Sequence, residues 1–398
     1  MKQAIKSEFK LLKNFYIFYF LWGLASFITA YWVVYFQDIG LSFKEISLIL
    51  TSMFLAPIIF EVPTGAISDH FGRRISIFIG LFISGSIFIL IPFTNQFHII
   101  LPLFFGIMSI STLVSGADSA WMVDFLKAKK QSKLTRVVFS RTWSIVALSA
   151  GISYILSSVI VSKFGMSYLW KAQGILLITT SLFVIIFGDK EQTIRKGKFR
   201  GAMHSTLGLA KEGFKLILAQ RTLFFFILAV FFNSFFMSGE IAWQPFFIKL
   251  GLPLPGLGLL YAGAVFIGII APMLSVKLSK IISDKWALIL EDIISGLLFL
   301  TVSMITSPIK AIVIFYVLRF GTQFRSPLKS HFLHKHIPSK IRATTASINA
   351  LFQSVGAATA MLIAGFIIDT WGLNAAFVFA GLAAIPTALC YLMMKNGK

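Results

Sequence analysis

Long apolar stretches follow one another along nearly the whole chain and are separated by short polar breaks. A helix needs about 20 mostly apolar residues to cross a hydrocarbon core of roughly 30 Å. We number the stretches of suitable length as spans 1 to 12: 15–36, 44–66, 75–93, 97–122, 137–161, 168–187, 222–248, 255–278, 287–306, 308–331, 342–368 and 372–394. The pattern predicts an all-α membrane protein with no soluble domain.

The longest polar break, 189–220, divides the spans into two groups of six. It predicts an N-terminal six-helix bundle (1–188), a cytoplasmic linker (189–220) and a C-terminal six-helix bundle (221–398). In the linker, Leu207, Phe214 and Leu218 recur on one side of a helical repeat. This spacing favours an amphipathic helix that lies on the membrane surface.

The two halves carry matching residues at nearly constant offsets. Ala56-Pro57 in span 2 matches Ala271-Pro272 in span 8, 215 residues later. Trp32 matches Trp243 at an offset of 211, and Gly165 matches Gly372 at an offset of 207. The order of these matches indicates duplicated, pseudo-symmetric halves. Parallel repeats of this kind are a transporter architecture, with the substrate site between the halves near the midplane.

Composition supports membrane burial, and the placement of charge orients the chain. Only 13% of residues are charged, against about 25% in soluble proteins. The net charge of +21 would suit nucleic acid, but the basic residues gather in alternate loops, which is the positive-inside pattern. Five lysines fall at outer ends: Lys44, Lys163, Lys171, Lys249 and Lys310. Arg141 and Arg319 lie inside spans, and the other 29 of the 36 Lys and Arg are cytoplasmic. We therefore predict a multi-pass protein of the cell (plasma) membrane with both termini in the cytoplasm.

The sequence carries no signature of an enzyme or of a cofactor site. It has a single cysteine, Cys390, and it lacks a P-loop and a zinc-protease motif. His331, His334 and His336 form a short run that could bind Zn²⁺, but neighbouring basic residues favour a solvated helix end. An intramembrane enzyme would need clustered catalytic groups, and a receptor would need a signalling domain. We expect neither, and no cofactor, metal or nucleic acid partner.

The loop after span 2 contains a recognisable motif. Gly65 is followed by Asp69 and then by Gly72-Arg73-Arg74. This loop closely resembles the signature loop of the major facilitator superfamily, and the preceding Glu-Val-Pro-Thr is similar to a bacterial efflux branch of that family. The resemblance implies twelve helices in two pseudo-symmetric six-helix bundles. Two departures weaken an assignment to drug antiporters, since span 4 lacks their intramembrane arginine and span 5 lacks their Gly-Pro-Gly-Gly motif.

The resemblance also implies a latch that closes the cytoplasmic side. In the family, the loop aspartate, here Asp69, favours the N-terminus of span 11, and the loop arginine reaches a carboxylate at the end of span 4. Asp124 occupies that position. Glycines 65 and 72 permit the tight turn between the helices. The alternative is that Arg73 and Arg74 only determine topology.

Two charges lie deep in the predicted spans. A rise of 1.5 Å per residue places Glu240 roughly 12 Å from the outer end of span 7, and Arg319 near the midplane. A charge at the bilayer centre costs about 2.5–3.5 kcal/mol or more, so it normally faces a cavity. The resemblance implies that spans 7 and 10 line the cavity. We predict that one face of each contributes to substrate binding or proton coupling: Asn233, Glu240, Gln244, Tyr316, Arg319 and Gln323. The alternative is a Glu–Arg pair that only orders the bundle.

Other charges lie nearer the cytoplasmic surface. Asp118 and Arg141 fall at similar depths, roughly 7–10 Å from that surface. We include both in the candidate site and predict a structural ion pair between them. Glu291 and Asp292 lie within about two turns of the end of span 9, where pairing or snorkelling can satisfy them.

These observations predict a monomeric secondary transporter that works by alternating access. The first hypothesis is proton-coupled efflux, an antiporter for a drug-like or amphiphilic compound. The alternative is proton-coupled uptake of a small metabolite, for which Arg319 and Arg141 suggest an anion.

Overall fold

The structure, a computed structural model, describes residues 2–189, 215, 217–278, 282–336 and 342–394. Every regular element in these ranges is a helix. The longer helices are α1 Lys2–Leu24, α2 Trp32–Asp38, α3 Phe43–Phe71, α4 Arg73–Leu90, α5 Phe97–Ser111, α6 Ala117–Ala128, α7 Thr135–Phe164, α8 Ser167–Phe187, α9 Arg221–Asn233, α10 Glu240–Lys249, α11 Gly256–Leu278, α12 Asp284–Val302, α13 Pro308–His336, α14 Arg342–Trp371, α15 Leu373–Leu382 and α16 Ala384–Met393. The predicted linker helix falls on residues that are mostly outside the described ranges.

Each predicted span coincides with one helix or with a pair of helices. Eight described segments are long and apolar enough to cross a membrane. The helices of the other four spans are either too short or carry several charges: α1, α5 with α6, α12 and α13. The chain is therefore an all-helical, multi-pass membrane protein.

Spans 1, 4, 7 and 12 are interrupted, which the apolar pattern did not predict. Span 4 breaks before Gly116, whose φ of +77° is left-handed. Span 7 contains a 3₁₀ segment, Ser234–Gly239, with 3.0 residues per turn instead of 3.6. Six residues of this kind rotate the rest of the span by about a third of a turn. The prediction that Asn233 and Glu240 share one face was therefore wrong.

The backbone repeats at the offsets found in the sequence. Gly40 and Gly251 both adopt left-handed conformations, with φ of +92° and +87°. The residue after each glycine donates its N–H to the carbonyl five residues back, at 3.0 Å in both cases. Gly165 and Gly372 also match, with φ of +87° and +85°. These helix ends use glycine because other residues are strained at positive φ.

The helices form two compact units. Unit 1 comprises residues 1–35, 59–199 and 254–265, and unit 2 comprises residues 36–58, 200–253 and 266–398. In unit 1, α4 and α8 approach closely through Gly85 and Gly174; a β-carbon on Gly85 would lie 2.7 Å from the Gly174 carbonyl oxygen. In unit 2, Trp243 is buried, and its ring packs against Phe247, Phe315 and Phe377 at centroid distances of 5.5, 5.2 and 4.8 Å.

Each unit also contains a glycine contact at the start of a span. In unit 1, Gly258 near the start of α11 packs on α7, and its N–H donates to Tyr31 Oη at 2.9 Å. In unit 2, Gly365 of α14 packs on Phe43 and Ser47 at the start of α3. Asp369 caps the same helix start by accepting hydrogen bonds from the N–H groups of Phe43 and Lys44, at 3.0 and 2.9 Å.

Candidate functional site

Unit 1 contains a pocket of about 660 Å³, within the size range of small-molecule sites. Its walls come from spans 1, 4 and 5, at the levels where spans 1 and 4 are interrupted. The aromatic lining residues are Tyr19, Trp22, Phe139 and Trp143. Interrupted membrane helices accompany substrate sites in transporters because the freed backbone groups must line a cavity.

Asp118 supplies the pocket's carboxylate. It lies in the first turn of α6, where the helix dipole favours a negative charge. Tyr19 Oη donates a hydrogen bond to Asp118 Oδ2 at 2.9 Å. None of the described residues that line the pocket is a lysine, an arginine or a histidine.

The predicted ion pair between Asp118 and Arg141 is wrong. Arg141 instead pairs with Glu8, which is 6% exposed. Tyr16 Oη also donates to Glu8 Oε1, at 2.6 Å. Arg141 is neutralised by a carboxylate from the start of α1, and Asp118 has no ion-pair partner among the described residues. No sequence signal pointed to this exchange, because Glu8 lies outside the predicted spans.

Four of the five serine and threonine hydroxyl groups that line the pocket are already used as donors. Ser26, Ser111 and Thr142 each donate to the carbonyl three residues earlier in the chain, at 2.9, 2.7 and 2.9 Å. Ser119 does the same with Gly116, at 3.1 Å. A hydroxyl has one donor and two acceptor positions. These side chains therefore offer acceptor oxygens to a ligand in the pocket.

In unit 2, the two deep charges contact each other. Arg319 Nη2 lies 2.6 Å from Glu240 Oε2, and both side chains are 26% exposed. The guanidinium group also lies over the ring of Phe315, 4.6 Å from its centroid. Of the other predicted residues, Gln244 is buried, Tyr316 is partly buried and Gln323 is exposed. The predicted contact between Glu240 and Arg319 is therefore present.

Asn233 belongs to a second group, a buried charge cluster formed by Asn233, Glu291, Asp292, Arg325 and Lys329. Arg325 lies 2.5 Å from Glu291 and 3.1 Å from Asp292. Asn233 donates to Asp292 at 2.6 Å and accepts from Lys329 at 2.6 Å. Asp292 is fully buried. The prediction that pairing can satisfy Glu291 and Asp292 is thus confirmed, but depth along one helix did not report the neighbouring helices that bury them.

The signature loop contains the ion pair that the family resemblance implied. Arg73 Nη1 pairs with Asp124, and Arg73 Nη2 lies 3.7 Å from Asp69. Gly72 has a φ of +95°, a conformation that favours glycine at this turn. The segment that leads into span 11, residues 337–341, lies outside the described ranges, so the predicted contact of Asp69 with span 11 stays a prediction.

Next to this loop, two side chains hold the end of span 6. Arg74 Nη1 donates to the Gly188 carbonyl at 2.9 Å, and Trp121 Nε1 donates to the Asp189 carbonyl at 3.1 Å. Burial raises the pKa of the Asp189 carboxyl, and Lys129 and Arg74 oppose that rise. Residues of the loop and of span 4 therefore fix the point where the linker begins.

We expect the pair of Arg73 and Asp124 to have a measurable coupling energy. Arg73 is 18% exposed and Asp124 is 47% exposed, so the pair is partly screened. A double-mutant cycle with Arg73→Ala and Asp124→Ala in denaturant unfolding should give a coupling energy of about 0.5–1 kcal/mol. The matched control is Lys127 with Asp124, 3.9 Å apart and more exposed, for which we expect a coupling energy near zero. Equal coupling in both cycles would contradict the prediction.

His331 begins the histidine run for which the sequence favours a solvated helix end. It is 68% exposed, and its Nδ1 lies 2.6 Å from Asp284 Oδ2. The side chains of His334 and His336 lie outside what the structure describes. Within the described residues, no group of three or more potential metal ligands comes together.

Comparisons with known proteins agree with this architecture. Residues 15–358 match the family model of the Major Facilitator Superfamily. The chain is 25% identical, over 96% of both chains, to the protein from Bacillus subtilis (strain 168) described as "Uncharacterized MFS-type transporter YxaM". Among solved structures, it resembles a mutant of the nucleoside transporter NupG with a TM-score of 0.78 and 13% identity, covering 97% of this chain and all of that one.

Two further solved transporters share the fold. One is a bacterial homologue of the human lysosomal transporter Spinster, in an inward-facing and occupied conformation, with a TM-score of 0.74 and 13% identity over 98% and 96% of the two chains. The other is an autoinhibited POT family peptide transporter, with a TM-score of 0.76 and 14% identity over 98% and 97%. At these identities the likeness establishes the fold alone. The family match covers most of the sequence, and the chain therefore belongs to the Major Facilitator Superfamily and is a secondary transporter of a small molecule.

Proposed function

We propose that the protein is a proton-coupled exporter of a small amphiphilic compound. The observation that carries this proposal is the pocket of unit 1, whose walls combine aromatic rings, hydroxyl oxygens and the carboxylate of Asp118. Aromatic faces suit the apolar part of such a compound, and the oxygens suit its polar part. The protein would work as a monomer in the plasma membrane, with both termini in the cytoplasm, as the distribution of lysine and arginine predicts.

The alternative, uptake of an anionic metabolite, has less support. It depends on Arg319 and Arg141 as anion-binding groups. Arg319 is paired with Glu240 and Arg141 with Glu8, so an anion would first have to displace a carboxylate. In the pocket, the charged side chain without an ion-pair partner among the described residues is Asp118, and its charge is negative.

Glu240 and Arg319 are the proposed coupling pair. The two side chains are in contact and both are partly exposed. Protonation of Glu240 would weaken its attraction to Arg319, and substrate or proton occupancy could then bias one state of the transporter over another.

The experiment is transport by purified protein in proteoliposomes under an imposed pH gradient. A panel of permanently charged and uncharged fluorescent compounds avoids passive trapping of weak bases. An antiporter accumulates its substrate in vesicles that are acidic inside, because protons leaving the lumen drive the compound inwards. Accumulation only in vesicles that are acidic outside would instead establish symport. Equal accumulation with either gradient and without one would overturn proton coupling.

We expect Glu240→Gln and Arg319→Gln to abolish gradient-driven accumulation while leaving the protein folded. Each change removes one charge of the pair and keeps a polar side chain, of the same length at position 240 and shorter at position 319. The melting temperature in detergent and exchange of labelled substrate at equal pH provide the controls. Gradient-driven transport that is intact in both variants would leave the pair with a structural role only.

A further inference from the structure

We propose that the pocket of unit 1 selects organic cations, with Asp118 as the group that recognises the positive charge. This inference rests on the proposed function, since it assigns the pocket as a substrate site and adds the chemical class of the substrate. It concerns binding, and it does not depend on proton coupling or on the direction of transport.

The charged group of the pocket lining is negative. Asp118 is the acidic residue of the pocket, and none of the described lining residues is a lysine, an arginine or a histidine. The nearby arginine of span 5, Arg141, is occupied by Glu8. Within the described residues, the carboxylate therefore receives a side-chain hydrogen bond from Tyr19 and no ion pair. A carboxylate in a membrane protein interior is normally matched by a cation, and here the ligand would provide it.

Several hydroxyl groups of the pocket already donate a hydrogen bond within the protein. Four hydroxyl groups of the pocket donate to backbone carbonyls of their own helices or of the turns beside them: those of Ser26, Ser111, Ser119 and Thr142. Tyr19 donates to Asp118. The oxygens of these five side chains remain available as acceptors. A ligand that donates hydrogen bonds or carries positive charge fits these oxygens, whereas a phosphate or carboxylate would face repulsion from the Asp118 carboxylate.

Aromatic side chains form part of the pocket wall. Trp22 and Trp143 come from spans 1 and 5, and the Trp143 side chain is 73% exposed. Phe139 lies one helical turn before Trp143 on α7. Aromatic faces attract cations through the ring quadrupole, and tryptophan does so most strongly. The same faces bind the apolar groups of an amphiphilic cation.

A nucleoside or sugar is the competing class. Hydroxyl-rich linings also suit such ligands, and the solved structures that share this fold include a nucleoside transporter. A neutral ligand of this kind would leave the Asp118 carboxylate without a counter-charge. The two classes therefore differ in their dependence on that charge, and the experiment can separate them.

The experiment compares two ions of nearly the same shape and opposite charge. Binding of tetraphenylphosphonium, tetraphenylborate and uridine to the purified full-length protein in detergent is measured by quenching of tryptophan fluorescence and by calorimetry. We expect the wild type to bind the phosphonium about tenfold or more tightly than the borate, because the Asp118 carboxylate attracts one ion and repels the other in a site that is less polar than water. We expect Asp118→Asn to remove this preference.

Three further variants test whether the loss is specific. Asp118→Glu keeps the charge and should keep the preference, which also covers the case in which Asp118→Asn fails to fold. Asp38→Asn removes an exposed carboxylate outside the pocket and should change nothing. Trp22→Ala should weaken both ions, because it removes wall area without removing charge.

Three outcomes would overturn the inference. These are tighter binding of the borate, a preference that Asp118→Asn leaves unchanged, and binding of uridine without binding of the phosphonium. The proposed function fails by a different result, namely transport that ignores the pH gradient, so the two failures are distinguishable.

Discussion

Replacing Arg325 with methionine will lower the free energy of unfolding by about 3–5 kcal/mol, because it removes the guanidinium group that contacts two buried carboxylates. Arg325 is 7% exposed. It contacts Glu291 at 2.5 and 2.9 Å and Asp292 at 3.1 Å. Methionine fills a similar volume, so the loss reports the electrostatics of the cluster rather than a cavity. Denaturant unfolding in detergent measures it.

Arg319 supplies the matched control, since it lies on the same helix and also pairs with one glutamate. Its side chain and that of Glu240 are each 26% exposed, so water can solvate the carboxylate once the arginine is gone. We expect Arg319→Met to cost clearly less than Arg325→Met. Arg325→Lys should be intermediate, because lysine keeps the charge but cannot contact two carboxylates with a planar fork. Equal losses for the two methionine variants would contradict the importance of burial.

The second large effect concerns Gly258 and Gly365, which form close contacts between helices. A β-carbon on Gly365 would lie 2.5 Å from the Phe43 carbonyl oxygen, and one on Gly258 would lie closer still to the Tyr154 carbonyl oxygen and 3.1 Å from the Ser158 nitrogen. Backbone atoms cannot rotate away as a flexible side chain can, so the helices must separate. We expect Gly365→Ala and Gly258→Ala each to destabilise the protein by about 1–3 kcal/mol, measured by unfolding in detergent.

Gly106→Ala is the control for this pair. Gly106 also lies inside a helix, but an added β-carbon would meet only Ile87 Cδ1 at 3.7 Å, an ordinary contact. Alanine is intrinsically better than glycine in a helix by about 0.8–1 kcal/mol, so this variant should be neutral or more stable. The predicted effects thus have opposite signs. Stabilisation in all three variants would mean that the close approaches carry no strain and no packing value.

The two glycine contacts also match each other under the sequence repeat. They correspond closely under the sequence repeat, since Ser158 matches Gly365 at the offset of 207 and Phe43 matches Gly258 at the offset of 215. In each unit, a glycine of one helix thus packs against the residue that matches the other glycine. The same kind of close glycine contact between two helices therefore occurs once in each unit.

The sequence alone determined the class of the protein. Helix length, the scarcity of charge and the alternation of basic loops follow directly from the bilayer, which admits only helices or closed barrels and acts on each residue according to its depth. The glycines at positions 40, 165, 251 and 372 also follow from local rules, since a left-handed helix end needs glycine whatever surrounds it. The pair of Arg73 and Asp124 was accessible because the loop motif carries it.

Only the tertiary structure decided which charges meet. Arg141 pairs with Glu8 instead of Asp118, and Asn233 joins Asp292 instead of the face of Glu240. Depth along a single helix does not report which neighbouring helix covers a side chain, and a short 3₁₀ segment rotates everything that follows it. Charge pairing depends on distances between helices that are far apart in sequence, and the apolar pattern of one helix carries no information about them. The pocket shows the consequence, since Asp118 lines it and Arg141, which pairs with Glu8, does not.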